Sequence, residues 1–321
     1  MKTTLILPLL VGALAATCAG KTAVILSTDV GNEIDDQWAI TYMLLSPAFD
    51  VRAIVSANAP SLPDPSAHAT YKILVDVVER RLGMLSHPPL FEGSSLPLAD
   101  RQTARENAGV DFIIETSKQF SSENRLVVLT IGAATDVASA ILKDPTLVDR
   151  ISVVAMGFKS LSEGGNEFNI QNDPRAWQVI LDSAVPVTIG SGDVCRADLA
   201  MSFEHAKTLI GKRGPVGAWL WSEYREWYFR NLKPLRKNDF SKPWIIWDTV
   251  VMAYEQGMTT QKQIPRPRLA DDLSFEKTNT DKTITWITGI DSARMWSDFA
   301  QKLDYYQSTH AVDLSPCMFA R

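Results

Sequence analysis

Residues 22–45 read TAVILSTDVGNEIDDQWAITYMLL. The run Ala23-Val24-Ile25-Leu26 has the length and composition of a strand buried on both faces of a parallel sheet. It breaks into the turn STDVGNEIDD and resumes with Trp38, Ile40, Met43 and Leu44 at helical spacing. Strand, acidic turn and helix follow at once. In open α/β sheets ligands bind in the crevice outside the carboxyl ends of the strands. Four carboxylates delivered there, Asp29, Glu33, Asp35 and Asp36, repel one another unless a cation neutralises them. A helix N-cap accounts for one such acid and leaves the others unexplained. All-oxygen donors suit Ca2+ or Mg2+ rather than Zn2+. The stretch predicts a hard-metal site at the end of a strand.

The alternation continues downstream. Residues 51–56 read as a second strand that ends in Ala57-Asn58-Ala59-Pro60, a loop at the strand's carboxyl end. An amphipathic helix is expected over 66–83, a short strand and turn over 88–93, and a helix over 111–120. Residues 126–131 form a strand that enters a helix through Gly132, and 151–157 another buried strand. Asp173-Pro174 starts a helix, with Asp as N-cap and Pro at the first helical position. Residues 185–192 give one more short strand, 203–233 an aromatic-rich helical stretch, and 284–287 a closing strand before a last helix around Trp296. Gly190-Ser191-Gly192 has no third glycine or ribose-binding acid at the spacing a dinucleotide site requires. The pattern predicts a single α/β domain with a mostly parallel central sheet flanked by helices, a Rossmann-like open sheet.

The chain of 321 residues is 45% hydrophobic and 21% charged, with a net charge of −5 and no cluster of Lys or Arg. Nothing in it points to nucleic acid or a membrane surface as a partner. Residues 1–20 have the charged start, short apolar run and small-residue end of a signal peptide, which predicts cleavage before Lys21, a mature domain over 21–321, and a secreted or periplasmic location. Cys18 as a lipidated residue is the alternative, weakened by Thr17 before it. The apolar run is short of the roughly 20 residues that span a bilayer. Cys195 and Cys317 remain in the mature chain, either as a disulfide tying down the C-terminal tail or as two buried small side chains.

The segments TDVGNEIDD (28–36), NEFNIQNDPRAW (166–177) and WDTVVMA (247–253), with Ala57-Asn58 and TIGAATDVA (130–138) between them, resemble in that order the motifs of the nucleoside hydrolases. The resemblance runs from about residue 22 to about 305. It departs at Ser27, where the family has a further Asp, in an acidic turn two residues longer, and at Trp247, where many members carry a His that protonates the leaving base.

The resemblance implies a nucleoside-hydrolase-like fold and Ca2+ held by Asp29, Asp35, Asp36, Asp248 and the backbone carbonyl of Ile131. It implies calcium-dependent hydrolysis of the ribosyl–base bond by a metal-bound water, with Asp29 as general base. Asp35, Asn58, Glu167 and Asn169 would hold the sugar hydroxyls, with Asn166 a further candidate. Separated by two residues, Glu167 and Asn169 face the same way if their stretch is extended. Trp247 would stack on the departing base and, if that base is protonated, gain cation–π energy. The family also implies a homo-oligomer. Other readings stay open: a sugar- or nucleoside-binding relative without catalysis, a hydrolase of another ribosylated compound, and a phosphohydrolase, for which no partner Lys stands out.

Overall fold

In the computed structural model, which describes residues 20–231 and 241–310, the run after Lys21 forms β1 (Thr22–Thr28), buried from Val24 onward. The acidic turn leads into α1 (Asp35–Leu45). There follow β2 (Phe49–Ser56), α2 (Ser66–Val75), β3 (Leu90–Glu92), α3 (Ala108–Ser117), β4 (Leu126–Thr130), α4 (Thr135–Lys143) and β5 (Ile151–Met156). Then come α5 (Phe168–Asn172), α6 (Pro174–Asp182), β6 (Val187–Gly190), α7 (Gly192–Asp198), β7 (Ala200–Met201), α8 (Phe203–Ile210) and α9 (Gly214–Asn231). The last elements are β8 (Trp244–Ile245), α10 (Thr249–Glu255), β9 (Thr259–Pro265), β10 (Arg268–Leu269), β11 (Phe275–Glu276), β12 (Thr283–Ile290) and α11 (Ser292–Thr309).

Eight strands make one sheet in the order β3-β2-β1-β4-β5-β6-β12-β9, and only β9 is antiparallel to its neighbour. Alternate residues face opposite ways: Val24, Leu26, Val127 and Leu129 pack into one core, while Ile25, Leu126 and Val128 pack into the other. In the first core Trp38 of α1 meets the rings of Tyr224, Trp296 and Phe299 at 6.2, 5.8 and 5.8 Å. The second is covered by α3, α4 and α6. The expected α/β architecture, with its mostly parallel sheet between helices, is therefore present.

Chain order runs outward from β1 to β3 on one side and from β4 to β6 on the other. Connections leave to opposite faces at that reversal, which opens a crevice at the carboxyl ends of β1 and β4. Ser27 pairs with Thr130, so in the same register Asp29 emerges opposite Gly132, the residue after Ile131.

Three expected helices differ. The one over 66–83 is α-helical only to Val75 and continues as a π-helical turn, Asp76–Arg81. The one over 111–120 begins earlier, because Asn107 caps it by accepting from the Val110 N–H at 2.9 Å. The stretch over 203–233 is two helices parted before Gly214, whose φ of 68° suits a turn and not a helix. Among the described residues no helix is long and apolar enough to cross a membrane. Residues 1–19 of the expected leader and Cys317 lie outside the described residues; Cys195 is buried, its thiol 3.7 Å from the carbonyl oxygen of Trp247.

Candidate metal and ligand site

Asp35 and Asp36 stand at the start of α1, but neither is its N-cap: that position is Ile34, and it makes no side-chain cap hydrogen bond. The helix-cap explanation of the acidic turn therefore fails. Asp36 Oδ1 instead accepts from Thr28 Oγ1 at 2.5 Å, which ties the turn back to the end of β1. Asp248 occupies the N-cap position of α10, also without a cap hydrogen bond. Because α1 and α10 pack together, Asp35, Asp36 and Asp248 each place a carboxylate oxygen within 4.8 Å of the others, all three buried.

Asp29, also buried, completes the group from the end of β1. Its Oδ2 and Glu33 Oε2 are buried without a hydrogen-bond partner among the described residues. The electrostatics follow from this crowding. Burial first, then the charges of neighbouring carboxylates, pushes Asp29, Asp36 and Asp248 well above the usual carboxylate range. Asp35 is pushed up to about 8 by burial and then by Asp36, and Glu33 to about 8 by burial and then by Asp35. Four buried oxygen donors that cannot all ionise without compensation, two unpartnered oxygens beside them, and no imidazole or thiolate in the set fit a hard divalent cation.

These carboxylates lie at the buried end of a cavity of ≈ 240 Å³, which Ile131 also lines. Asn32, Glu33, Glu167 and Asn169 form part of its wall, and Lys159, Arg196, Phe168 and Trp247 lie toward solvent. Nine of the ten residues assigned to the site from the sequence, Asn166 included, thus border one space. Asn58 does not: it is buried with its Oδ1 accepting from Ser66 Oγ at 2.6 Å, turned toward the start of α2. Asn32 lines the cavity instead, its Oδ1 accepting from the N–H and hydroxyl of Ser61 in the loop after β2.

The stretch from Glu167 to Asn169 is not extended. Glu167 caps α5, accepting from Asn169 N at 3.0 Å and Ile170 N at 3.2 Å, so its carboxylate draws the chain into a helical turn. Burial pushes Glu167 up to about 7, and those backbone donors oppose the shift. Asn169 donates to the carbonyl of Met156 at 3.3 Å. Asn166 borders the cavity while its Oδ1 accepts from Gln171. Asp173 has the structural role expected of it, accepting from Ala176 N, Leu98 N and Thr135 Oγ1 at 2.9, 2.8 and 2.7 Å.

Trp247 is half-buried, with the guanidinium of Arg196 over its ring, 5.1 Å from the centroid. Neither Arg196 nor Lys159 was legible as a site residue. Their only signal is position: each lies a few residues past the carboxyl end of a central strand, β6 and β5.

A profile of the family described as inosine-uridine preferring nucleoside hydrolase matches residues 24–297. An uncharacterised protein of Schizosaccharomyces pombe is 35% identical over 140 residues, 40% of this chain and 44% of that protein. The pyrimidine-specific ribonucleoside hydrolase RihA of Escherichia coli is 26% identical over 194 residues, 53% of this chain and 60% of that one. The matched stretches thus span about half the length of these relatives. Among solved structures, the purine-preferring ribonucleoside hydrolase from Gardnerella vaginalis superposes with a TM-score of 0.69 over 90% of this chain and 100% of that one, at 20% identity.

Proposed function

Since the chain belongs to the inosine-uridine preferring nucleoside hydrolase family, we propose that it hydrolyses the N-glycosidic bond of ribonucleosides to ribose and free base. The observation that supports this reading is the meeting of Asp29, Asp35, Asp36 and Asp248, from separate segments, at the buried end of one cavity with Glu167 and Asn169 beside them. In this reading Ca2+ is held by those four carboxylates and the backbone carbonyl of Ile131. Calcium accepts such a crowded, irregular oxygen set, whereas Mg2+ demands near-octahedral geometry and keeps more of its water. When bound, the cation supplies a positive charge that acidifies water and orients the ribose diol.

The remaining chemistry belongs to the side chains. Asp29, with one carboxylate oxygen unpartnered among the described residues, accepts the proton of the attacking water. Asp35, Glu167 and Asn169 hold ribose hydroxyls, and the negative charge of the two carboxylates favours the oxocarbenium-like sugar as the base departs. Trp247 borders the base. The test is release of free ribose from uridine and inosine by the purified protein, with and without chelator. A second reading, a ribosyl-binding protein without catalysis, is favoured by Trp247 standing where the motif leads one to expect a proton-donating His; nucleoside binding in the absence of any ribose release decides for it.

We also propose that residues 1–20 are removed on export, that the chain works outside the cytoplasm, and that it assembles as a homo-oligomer. Intact mass of the exported protein, expected to begin near Lys21, tests the first two, and sedimentation the third.

A further inference from the structure

Two cationic side chains line the solvent-facing end of the cavity, Lys159 and Arg196. The Lys159 ammonium is held by Glu163 at 2.6 Å. Arg196 makes no ion pair among the described residues, and its guanidinium lies over the ring of Trp247, which lines the same cavity. Its position is fixed from below. The first turn of α7 is joined to the end of β5 by Gly192 N–H to Phe158 O at 2.8 Å and Asp193 N–H to Lys159 O at 2.9 Å. Phe158 takes a left-handed φ of 64°, costly for a bulky residue, and is held there by the rings of Trp177, Phe275 and Trp286.

A base leaving C1′ carries the bonding electrons with it, so it departs neutral if a ring nitrogen is protonated and as an anion if not. A guanidinium stays protonated across the working pH range and delivers no proton. With that cation already on the Trp247 face, a protonated purine beside it is repelled, whereas negative charge developing on a base is attracted. We propose that Arg196 is a catalytic leaving-group residue, stabilising nucleobases that depart as anions with charge delocalised onto an oxo group. This rests on the hydrolase reading above. In the step the C1′–N bond breaks with both electrons going to nitrogen, a C1′–O bond forms from water, the water's proton passes to Asp29, and the base anion is reprotonated by solvent. An amino group in place of the oxo group at C4 of uracil or C6 of hypoxanthine turns donors toward the guanidinium. Adenosine, with no oxo group, therefore gains little from Arg196, cytidine, with only its 2-oxo group, gains less than uridine, and uridine and inosine depend on it most.

The experiment compares wild type, Arg196→Gln and Arg196→Lys on the matched pairs uridine/cytidine and inosine/adenosine, and on 4-nitrophenyl ribofuranoside, whose leaving group is a stable anion without help. Circular dichroism and melting confirm folding of these surface variants. Arg196→Gln is expected to lower kcat/KM for uridine and inosine about 100-fold, the scale of losing one anion-stabilising donor, with partial recovery in Arg196→Lys. Adenosine and the nitrophenyl riboside should stay within about threefold, and cytidine should lose clearly less than uridine. Equal losses on every substrate, or no loss on uridine and inosine, would overturn the role of Arg196. Failure of the wild type to release nitrophenolate and ribose from any of them would overturn the hydrolase reading, and this inference with it.

Discussion

A methyl group on Gly132 would lie 2.9 Å from Oδ1 of Asp29, closer than side-chain carbons approach their neighbours. The two residues leave neighbouring strands, β1 and β4, at the sheet's reversal point, and glycine lets the carboxylate rest over the β4 turn. Gly132→Ala is therefore expected to displace the proposed base while leaving the sheet intact. The loss in kcat should be about 10- to 100-fold, as for other small misplacements of a reacting group. Steady-state kinetics beside a circular dichroism spectrum checks this, and activity within twofold of wild type would remove the contact from the account.

Asp248→Asn separates the metal role from the structural one. In the chelated protein it removes one of several buried, mutually repelling carboxylates, so the variant should melt higher than chelated wild type. Calcium a hundredfold above its wild-type Kd should raise the wild-type Tm by roughly 3–8 °C and that of the variant, left with fewer charged ligands, by clearly less. Equal calcium stabilisation of both proteins would take Asp248 out of the ligand set.

The same crowding sets a pH dependence. Asp35 and Glu33 are pushed up to about 8 by burial and by neighbouring carboxylates. Between about pH 4, where such groups ionise in the unfolded chain, and their folded values, the folded protein holds protons the unfolded chain has lost. Stability of the chelated protein must then fall as pH rises through that window. Calcium competes with those protons, so its binding should strengthen with pH and offset the loss. Melting curves from pH 5 to 8 with chelator and with calcium test both signs; a chelated Tm that rises toward pH 8 would contradict them.

Much of this was legible because it is written in short, local patterns. The buried run before Asp29 and the excess of acids after it announce strand, crevice and charge together, and Asp173-Pro174 announces a helix start with its cap. What was not legible depends on long-range geometry or on competition for backbone donors. Glu167 and Asn169 read as an extended pair, but a carboxylate two residues ahead of free N–H groups captures them and makes a turn. The sequence singled out Asn58 and not Asn32, and only the packing of α2 against the loop after β2 decides which turns inward. Arg196 has no motif at all; it reaches the cavity because α7 is pinned to β5.

That choice between asparagines is itself testable. Asn58→Ala should cost about 1 kcal/mol through the lost Ser66 hydrogen bond and leave KM unchanged. Asn32→Ala, at the cavity wall, should raise KM or lower kcat with a similar stability cost. Chemical denaturation beside kinetics on uridine separates them, and a KM effect confined to Asn58→Ala would restore the sequence-based assignment.

The central claim is that the buried carboxylate cluster, loaded with a cation, directs hydrolysis of a ribosyl–base bond. Free ribose released from uridine and inosine, followed in wild type and Asp29→Asn before chelation, after chelation and after calcium is restored, tests it most directly. The account predicts release by wild type that chelation abolishes and calcium restores, and a folded Asp29→Asn that binds calcium but releases about 100-fold less ribose. Wild-type protein that binds calcium yet frees no ribose, or frees it equally well after chelation, would contradict it.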